Sequence, residues 1–290
     1  MDKFKGIFPA LLTPFDDKNE IDTKALEKLI KINLDKGVKG FYVGGSTAEV
    51  FMLSNSERKE LYDAVKTITG GCCTLIAHIG SLSTQEAIEF GKCAEKLGYD
   101  AISSVPPFYY NFSFEEIKKY YFDIVDSVNL PMIIYNIPAF TGVAMTAESI
   151  GEIFKDERII GVKHTSSDFF ALERIRTAFP NKIIFNGYDE VFLSGLAAGA
   201  DGGIGSTHNF MSEKFVKIFE LFHNGKIDEA QKIQKTANEI IEILCKIGVF
   251  QGEKAILNLM GLEFGKCRPP FSELTSEQKK LLEDKVLPLL

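Results

Sequence analysis

A regular alternation between short β-rich runs and amphipathic segments constrains the fold more than any other feature of the sequence. Eight strand-plus-helix units, spaced by roughly 20 to 35 residues, are what a (β/α)8 barrel requires. A doubly wound open sheet is the competing α/β fold, but it would bring a glycine-rich turn after its first strand, where this chain reads TPFDD. We therefore predict a TIM barrel with strands at 7–12, 40–43, 74–79, 101–105, 132–136, 159–163, 182–185 and 203–205.

The sequence becomes helical in pattern after about residue 211. Apolar residues recur at three- and four-residue steps from Ile227 to Ile247, which predicts one long amphipathic helix. Two more helical segments follow, at 251–260 and from Thr275, where Thr275-x-x-Gln278 matches a capping box. We predict a catalytic barrel domain over 1–223 and a C-terminal helical appendage over 224–290.

Three helices inside the barrel region share one start signal. Ser54, Ser83 and Ser113 are each followed three residues later by glutamate. In such a capping box the hydroxyl and the carboxylate satisfy free amides at the helix start. We predict helix starts at these three positions.

Charge and cysteine content exclude several classes of partner. Lysine and arginine number 33 and aspartate and glutamate 40, a net charge of −7 without a basic tract, which argues against nucleic acid or an anionic membrane. Five cysteines are an odd number with no CxxC spacing, as expected of reduced thiols. The first apolar run is too short for a signal peptide or a membrane span. We predict a soluble cytoplasmic protein.

Lys163 ends the sixth predicted strand, directly before a helix start. The β-branched residues that precede it suit a strand buried on both faces, and Ser167 or Asp168 could cap the next helix. An ammonium at this point either reaches solvent or a carboxylate, or stays partly desolvated and acts as a nucleophile toward a carbonyl. Taken alone, Lys163 fits the structural role better than the catalytic one.

Two other strand ends carry candidate groups, and in a barrel all strand C-termini converge on one face. After the second strand, the segment GGSTAE (residues 44–49, called here the nest) offers two hydroxyls, Ser46 and Thr47, and backbone amides suited to a carboxylate or phosphate. A plain glycine turn is the alternative. Tyr135 ends the fifth strand, where its phenol could relay a proton or simply be packed.

The seventh and eighth strands lead into NGYDE and GGIGST. The adjacent carboxylates of Asp189 and Glu190 cannot easily face one point, which argues against a glycosidase pair and favours acceptors for a polyol or a helix cap. The eighth strand is where many barrels bind phosphate, but no lysine or arginine lies nearby, so we predict hydroxyl binding there.

Metal and serine-hydrolase chemistry lack their sequence patterns. The four histidines are scattered without ligand spacing, and GxSxG is absent, so we assign no metal and no cofactor. A lysine, a phenol and an anion-binding nest on one face suit imine chemistry instead. The lysine would form a Schiff base with a keto group, the nest would hold the adjacent carboxylate, and the phenol would move the proton.

Six motifs in order, GGSTAE, PPFYY, YNIPAFTG, GVKHTSSD, NGYDE and GGIGST, resemble the N-acetylneuraminate lyase and dihydrodipicolinate synthase superfamily of class I aldolases. The resemblance covers nearly the whole chain. It implies a (β/α)8 barrel with a C-terminal helical region, a Schiff-base lysine and a homotetramer.

The resemblance also implies individual roles. Lys163 would form the imine with the keto carbon of pyruvate or sialic acid, and Tyr135 would transfer a proton. Ser46 and Thr47 would hold the substrate carboxylate, and Tyr109 would reach toward a neighbouring subunit's site. The positions that match contacts to the hydroxylated tail of the sugar are Thr165, Gly187, Asp189, Glu190 and Ser206.

Within the superfamily, the loop after YNIP separates two branches. Synthases typically carry an arginine there, whereas this loop contains Phe140. With Asp189 and Glu190 as acceptors, this favours reversible cleavage of N-acetylneuraminate to pyruvate and N-acetylmannosamine. The alternatives are another pyruvate-dependent enzyme, such as dihydrodipicolinate synthase or a keto-deoxy sugar acid aldolase, and a non-catalytic sensor of sialic acid or pyruvate.

Two residues depart from the usual motifs of the family. Ala48 stands where glycine is usual, and a positive φ at that position would strain the nest. His164 follows the lysine, and by strand alternation it should point away from Lys163 and pack against the helix layer.

Overall fold

The computed structural model describes residues 1–290, and eight parallel strands form its centre. They are β1 (Gly6–Pro9), β2 (Gly40–Val43), β3 (Thr74–His78), β4 (Ala101–Ser104), β5 (Met132–Asn136), β6 (Ile159–His164), β7 (Ile183–Asn186) and β8 (Gly202–Gly205). Sequential neighbours pair from β2 to β8, and β8 pairs with β1. A parallel bridge between Ala10 and Tyr42 brings β1 beside β2 and completes the ring. The predicted (β/α)8 barrel is confirmed.

Helices surround the barrel and continue beyond it. They are α1 (Thr23–Asp35), α2 (Asn55–Thr69), α3 (Thr84–Lys96), α4 (Phe114–Ser127), α5 (Pro138–Thr141), α6 (Ala147–Ile153), α7 (Phe169–Ala178), α8 (Phe192–Ala197), α9 (His208–His223), α10 (Ile227–Ile247), α11 (Val249–Leu259) and α12 (Ser276–Lys285). α9 ends at His223 and α10 begins at Ile227. None of the helices has both the length and the apolar content needed to cross a membrane.

Strand bounds differ from the predicted ones mainly at β1. The predicted strand continued to residue 12, but the ladder ends earlier because the Leu12 amide donates to the side-chain Oδ1 of Asn209 at 3.1 Å instead of to a neighbouring strand. Ala10 and Leu11 still contact Tyr42 of β2. β6 is longer than predicted, because it extends one residue past Lys163 to His164.

Three of the four predicted capping boxes are complete, those at Ser54, Ser113 and Thr275. Ser83 caps α3 through the Glu86 amide, but the Glu86 carboxylate accepts hydrogen bonds from Ser81 and Asn55 instead of from the cap backbone. The start of α3 was therefore predicted correctly, while half of its capping interaction is redirected to neighbouring loops.

Side chains alternate between two apolar layers. An inner cluster fills the barrel and includes Phe8, Tyr42, Tyr135, Phe185 and Ile204. A larger cluster lies between the strands and the helices. The inner cluster forms the floor below the C-terminal ends of the strands.

Candidate active site

Lys163 is a buried amine without an ionic partner. Its side chain enters the barrel interior, and the residue is only 4% exposed. The Nζ atom lies 4.1 Å from the ring centroid of Tyr135 and 4.7 Å from that of Tyr42. No carboxylate forms a salt bridge with it, and its side chain donates no hydrogen bond within the chain. Lys163 therefore reaches neither solvent nor a carboxylate, which was the structural role considered from the sequence.

Tyr135 lies directly beside Lys163 because their strands are adjacent and their Cα atoms are in register. Its ring packs edge-on against Tyr42 and His78, with centroid distances of 5.9 and 5.8 Å. The Tyr42 hydroxyl donates to Ser103 at 3.0 Å, whereas the Tyr135 hydroxyl makes no hydrogen bond within the chain. Of the two phenols near the amine, only that of Tyr135 has a hydroxyl without a partner in the chain.

His78 has a fixed and neutral arrangement beside these rings. Its Nδ1 lies 2.8 Å from the Gly44 carbonyl, so the hydrogen sits on this nitrogen. Burial, together with the positive charges of Arg58 and Lys163, holds the pKa of His78 well below its usual range. Neutral His78 therefore adds no second charge next to the lysine.

The nest leaves backbone amides free at the cavity. Gly44 has φ +73°, and a short 3₁₀ turn runs from Ser46 to Ala48. The Ala48 and Glu49 amides donate within the turn, to Gly45 and Ser46 at 3.0 Å. The amides of Ser46 and Thr47 donate to no group in the chain. Two adjacent free amides beside two hydroxyls form a site that suits an anion.

Ala48 does not strain this turn. Its φ is not positive, and the left-handed residue is the next one, Glu49, with φ 57°. The backbone strain that a positive φ at Ala48 would cause is therefore absent. The methyl group is fully buried in a right-handed turn.

Lys163 lies in a cavity of about 250 Å³. Every predicted catalytic and substrate-binding residue lines it, namely Lys163, Tyr135, Ser46, Thr47, Thr165, Gly187, Asp189, Glu190 and Ser206. Their roles toward a substrate stay predictions. Phe140 is 65% exposed and places its apolar ring at the cavity mouth.

Thr165 and Gly187 pack against each other on neighbouring strand ends. A Cβ at Gly187 would clash with the Thr165 Oγ1 atom, so only glycine permits this approach. The Thr165 hydroxyl is buried and has no partner within the chain. It is therefore available to a bound molecule.

Asp189 and Glu190 have different environments. The Asp189 carboxylate accepts hydrogen bonds from the Thr207 amide at 2.9 Å and from its hydroxyl at 2.6 Å, and it lies 3.3 Å from His208 Nε2. Burial alone would raise the pKa of Asp189, but His208 and Thr207 outweigh it and lower the value. Glu190 is exposed at the rim. Asp189 is thus a fixed wall, and Glu190 is the freer acceptor.

Two predicted positions lie outside the cavity. Tyr109 is 82% exposed on the loop between β4 and α4 and does not line the cavity of its own chain. His164 points into the helix layer, where its Nδ1 lies 3.2 Å from the Asn136 side chain and its Nε2 lies 3.2 Å from the Asp168 carbonyl. The predicted packing position of His164 is confirmed.

Sequence patterns missed one wall of the cavity. It consists of apolar residues of α10 and α11, namely Ile241, Cys245, Val249 and Phe250. Ile241 and Cys245 lie four residues apart, beside the stripe that predicted α10, and their spacing was the available signal. The C-terminal helices are therefore part of the site as well as an appendage.

A buried ion pair joins this C-terminal region to the nest. Lys254 Nζ of α11 lies 2.6 Å from Glu49 Oε1, with both side chains 1% exposed or less. The other Glu49 oxygen accepts from the Arg268 amide at 2.7 Å. Because Glu49 immediately follows Ser46–Ala48, this pair fixes the end of the nest.

We expect Lys254→Met to lower the free energy of unfolding by about 3–5 kcal/mol, because it leaves the Glu49 carboxylate buried without its cation. Urea denaturation measures the loss. The matched control is Lys246→Met, which breaks the exposed Lys246–Glu242 pair of α10 and should cost less than about 1 kcal/mol. Equal losses in the two variants would contradict the assignment.

Known proteins resemble this chain in both sequence and fold. The sequence profile of the dihydrodipicolinate synthetase family matches residues 3–287. An N-acetylneuraminate lyase of Fusobacterium nucleatum is 47% identical over 275 residues, 94% of this chain and 95% of that protein. The crystal structure of CdNal from Clostridium difficile in complex with mannosamine has a TM-score of 0.96 at 46% identity, covering 99% of both chains. The N-acetylneuraminate lyase from Fusobacterium nucleatum complexed with pyruvate has a TM-score of 0.95 at 44% identity, covering 100% of this chain and 98% of that one.

Proposed function

The chain belongs to the dihydrodipicolinate synthetase family, and we propose that it is a carbon-carbon lyase that reversibly cleaves N-acetylneuraminate to pyruvate and N-acetylmannosamine. The observation that carries this proposal is the unpaired Lys163 amine beside the free Tyr135 hydroxyl. Relatives that align with this chain over almost their full length are named for that activity. Solved relatives are complexed with pyruvate or with mannosamine.

The first step is attack of the Lys163 amine on the keto carbon of the open-chain substrate. Loss of water gives an imine, and its protonated form withdraws electrons from the neighbouring carbons. The free amides of Ser46 and Thr47 would hold the adjacent carboxylate during this step. No further group is required to accept the electron pair.

The second step breaks the bond between the carbon next to the iminium carbon and the hydroxyl-bearing carbon beyond it. The hydroxyl loses its proton as a carbonyl forms, and the electron pair of the broken bond enters the enamine. In this proposal the Tyr135 hydroxyl relays the proton: it takes up the proton of the substrate hydroxyl and delivers its own proton to the enamine carbon. Hydrolysis of the pyruvate imine consumes one water and regenerates the amine.

The wall opposite the nest suits the remainder of the substrate. Thr165, Gly187, Asp189, Glu190 and Ser206 line the cavity at the ends of β6, β7 and β8 and would contact the hydroxylated tail. Phe140 in place of an arginine favours a sugar acid over a second substrate with its own carboxylate.

A substrate panel with detection of released pyruvate tests the reaction. We expect kcat/KM to be highest for N-acetylneuraminate among sialic acids and shorter keto-deoxy sugar acids. A higher value for a keto-deoxy acid, or faster condensation of pyruvate with aspartate semialdehyde, would assign the chain to another branch. Calorimetric binding without pyruvate release would identify a sensor instead.

We also propose that the protein is a cytoplasmic homotetramer in which Tyr109 contacts the site of a neighbouring subunit. The exposure of Tyr109 and of the adjacent Tyr110, packed edge-on at 5.1 Å, supports this. Analytical ultracentrifugation tests the assembly. A monomer with full activity would remove Tyr109 from the site.

A further inference from the structure

Gln234 is a buried polar residue that neither the apolar pattern of α10 nor the reaction above explains. It lies beside the apolar stripe of this helix and is 8% exposed. A buried side-chain amide needs partners for two hydrogens and one oxygen, since an unpaired polar group at such depth is costly. Gln234 has a partner for each of them, and two of the three partners lie in the segment that follows β7.

Two side-chain amides of α10, those of Gln234 and Asn238, hold the backbone of this segment and are called the clamp here. Gln234 donates to the Asp189 carbonyl oxygen at 3.0 Å, and its Oε1 accepts from the Leu193 amide at 3.1 Å. Asn238, one turn further along, donates to the Glu190 carbonyl oxygen at 2.9 Å. A hydrogen bond of 2.9 Å from Gln234 to Asn238 Oδ1 joins the two amides. Both carbonyls that precede α8 are therefore fixed from α10.

The clamp supplies contacts that this segment lacks of its own. α8 starts without a side-chain cap, and the Gln234 oxygen takes that place at the Leu193 amide. The Asp189 carboxylate is anchored by Thr207. Glu190 has no such anchor, because its carboxylate forms no salt bridge and accepts no hydrogen bond from another side chain. The direction of the Glu190 side chain therefore depends on its backbone.

Glu190 lies between two open spaces. It lines the cavity that contains Lys163, and it also lines a surface groove of about 720 Å³ that Gln234 and Asn238 border. A carboxylate on a turn that nothing holds can face either space, and only the first contains the amine. The position of the backbone at Glu190 thus decides whether its carboxylate reaches a bound substrate.

The position of the clamp on α10 supports a role at the site. Gln234, Asn238, Ile241 and Cys245 follow one another at steps of four, three and four residues, which places them on one face of the helix. The last two line the cavity. One helix face therefore supplies an apolar wall of the cavity and holds the neighbouring polar wall.

We propose that Gln234 and Asn238 are positioning residues for the hydroxylated part of the substrate: by fixing the backbone of Asp189 and Glu190, they keep the Glu190 carboxylate directed into the cavity. This inference rests on the proposed function, because the contacts assigned to Glu190 are hydroxyls of the sugar. The clamp touches neither Lys163 nor the nest, so the chemistry at the keto carbon does not depend on it.

Condensation of pyruvate with N-acetylmannosamine tests this role, since only one of the two substrates carries hydroxyls. Gln234→Leu removes every hydrogen bond of the glutamine side chain and keeps a side chain of similar size. We expect the KM for N-acetylmannosamine to rise roughly 5- to 30-fold, the equivalent of one or two hydrogen bonds, and kcat to change less. The KM for pyruvate and the rate at which borohydride traps its imine should match wild type. Effects of equal size on both substrates would overturn the proposal.

Asn238→Ala keeps the test decisive even if Gln234→Leu fails to fold. Asn238 is half-buried, and its truncation leaves the cap of α8 in place, so thermal unfolding should stay close to that of wild type. This variant should raise the KM for N-acetylmannosamine roughly 2- to 5-fold and leave the KM for pyruvate unchanged. A folded Asn238→Ala enzyme with the wild-type KM for N-acetylmannosamine would refute the clamp.

Gln231→Leu is the matched control. Gln231 lies three residues before Gln234 on the same helix, is exposed and forms no side-chain hydrogen bond within the chain. We expect wild-type KM values for both substrates. A rise for N-acetylmannosamine as large as that in Gln234→Leu would show that any apolar substitution on this part of α10 has the effect, and it would overturn the proposal.

A double variant tests whether the effect passes through Glu190. In a Glu190→Ala background, Gln234→Leu should add less than about a twofold change in the KM for N-acetylmannosamine, because the carboxylate that it positions is gone. An undiminished effect in that background would contradict the role assigned to the clamp.

Wild type distinguishes failure of this inference from failure of the proposed function. If wild type neither forms a trappable imine with pyruvate nor condenses pyruvate with N-acetylmannosamine, the proposed function is overturned. If wild type does both, and the KM for N-acetylmannosamine is unchanged in Gln234→Leu and Asn238→Ala, only the clamp is overturned.

Discussion

Lys163→Ala is expected to abolish both imine formation and pyruvate release, the largest loss predicted for any single substitution. In wild type, pyruvate and borohydride should add the mass of a reduced imine to the peptide that contains Lys163. The Lys163 amine lies inside the barrel, beside Tyr135 and without a carboxylate partner. We therefore expect no other lysine to replace it. Peptide mass spectrometry identifies the modified residue.

Lys182→Ala is the matched control. Lys182 is partly buried, and desolvation lowers the pKa of its amine. It precedes β7, at the opposite end of the barrel, and it donates to the Ile159 carbonyl. We expect this variant to keep full activity and full trapping. An active enzyme with unmodified Lys163 would contradict the mechanism.

The fold could be predicted because its signals are local. Strands end near polar or glycine-containing turns, and several helices start at a side-chain cap, as at Ser54 and Ser113. A parallel barrel then follows from the repeated unit, since the C-terminal ends of all strands must lie on one face. This geometry also brought together Ser46, Tyr135 and Lys163, which are far apart in sequence.

The C-terminal part of the site could not be predicted because its contacts are long-range. Glu253 and Lys254 are adjacent charged residues in a helical segment, a pattern typical of a solvent-facing turn, yet both are 1% exposed or less. Lys254 is buried because Glu49, more than two hundred residues earlier, meets it. No periodic pattern in the sequence of α11 indicates that Glu49 is the partner of Lys254.

Backbone conformation in the nest was also beyond sequence patterns. The motif directed attention to Ala48, where glycine is usual, but the left-handed residue is Glu49. The ion pair with Lys254 and the Arg268 amide hold this carboxylate in place. Tertiary contacts, and not the residue type at position 48, therefore determine the shape of the turn.

Tyr135→Phe should lower kcat by roughly 10²- to 10⁴-fold while leaving the fold intact. The substitution removes only a hydroxyl that makes no hydrogen bond within the chain, and the ring that packs against Tyr42 and His78 remains. Thermal unfolding should therefore be unchanged. Borohydride should still modify Lys163, because the amine keeps its position.

Tyr42→Phe provides the comparison that isolates the free phenol. The Tyr42 ring also faces Lys163, at 4.7 Å, but its hydroxyl is committed to Ser103. If proton transfer depends on a phenol with a free hydroxyl, the kcat of Tyr42→Phe should exceed that of Tyr135→Phe at least about tenfold. Equal losses would mean that both substitutions act by disturbing the aromatic floor under Lys163, and an unchanged kcat in Tyr135→Phe would remove this tyrosine from the mechanism.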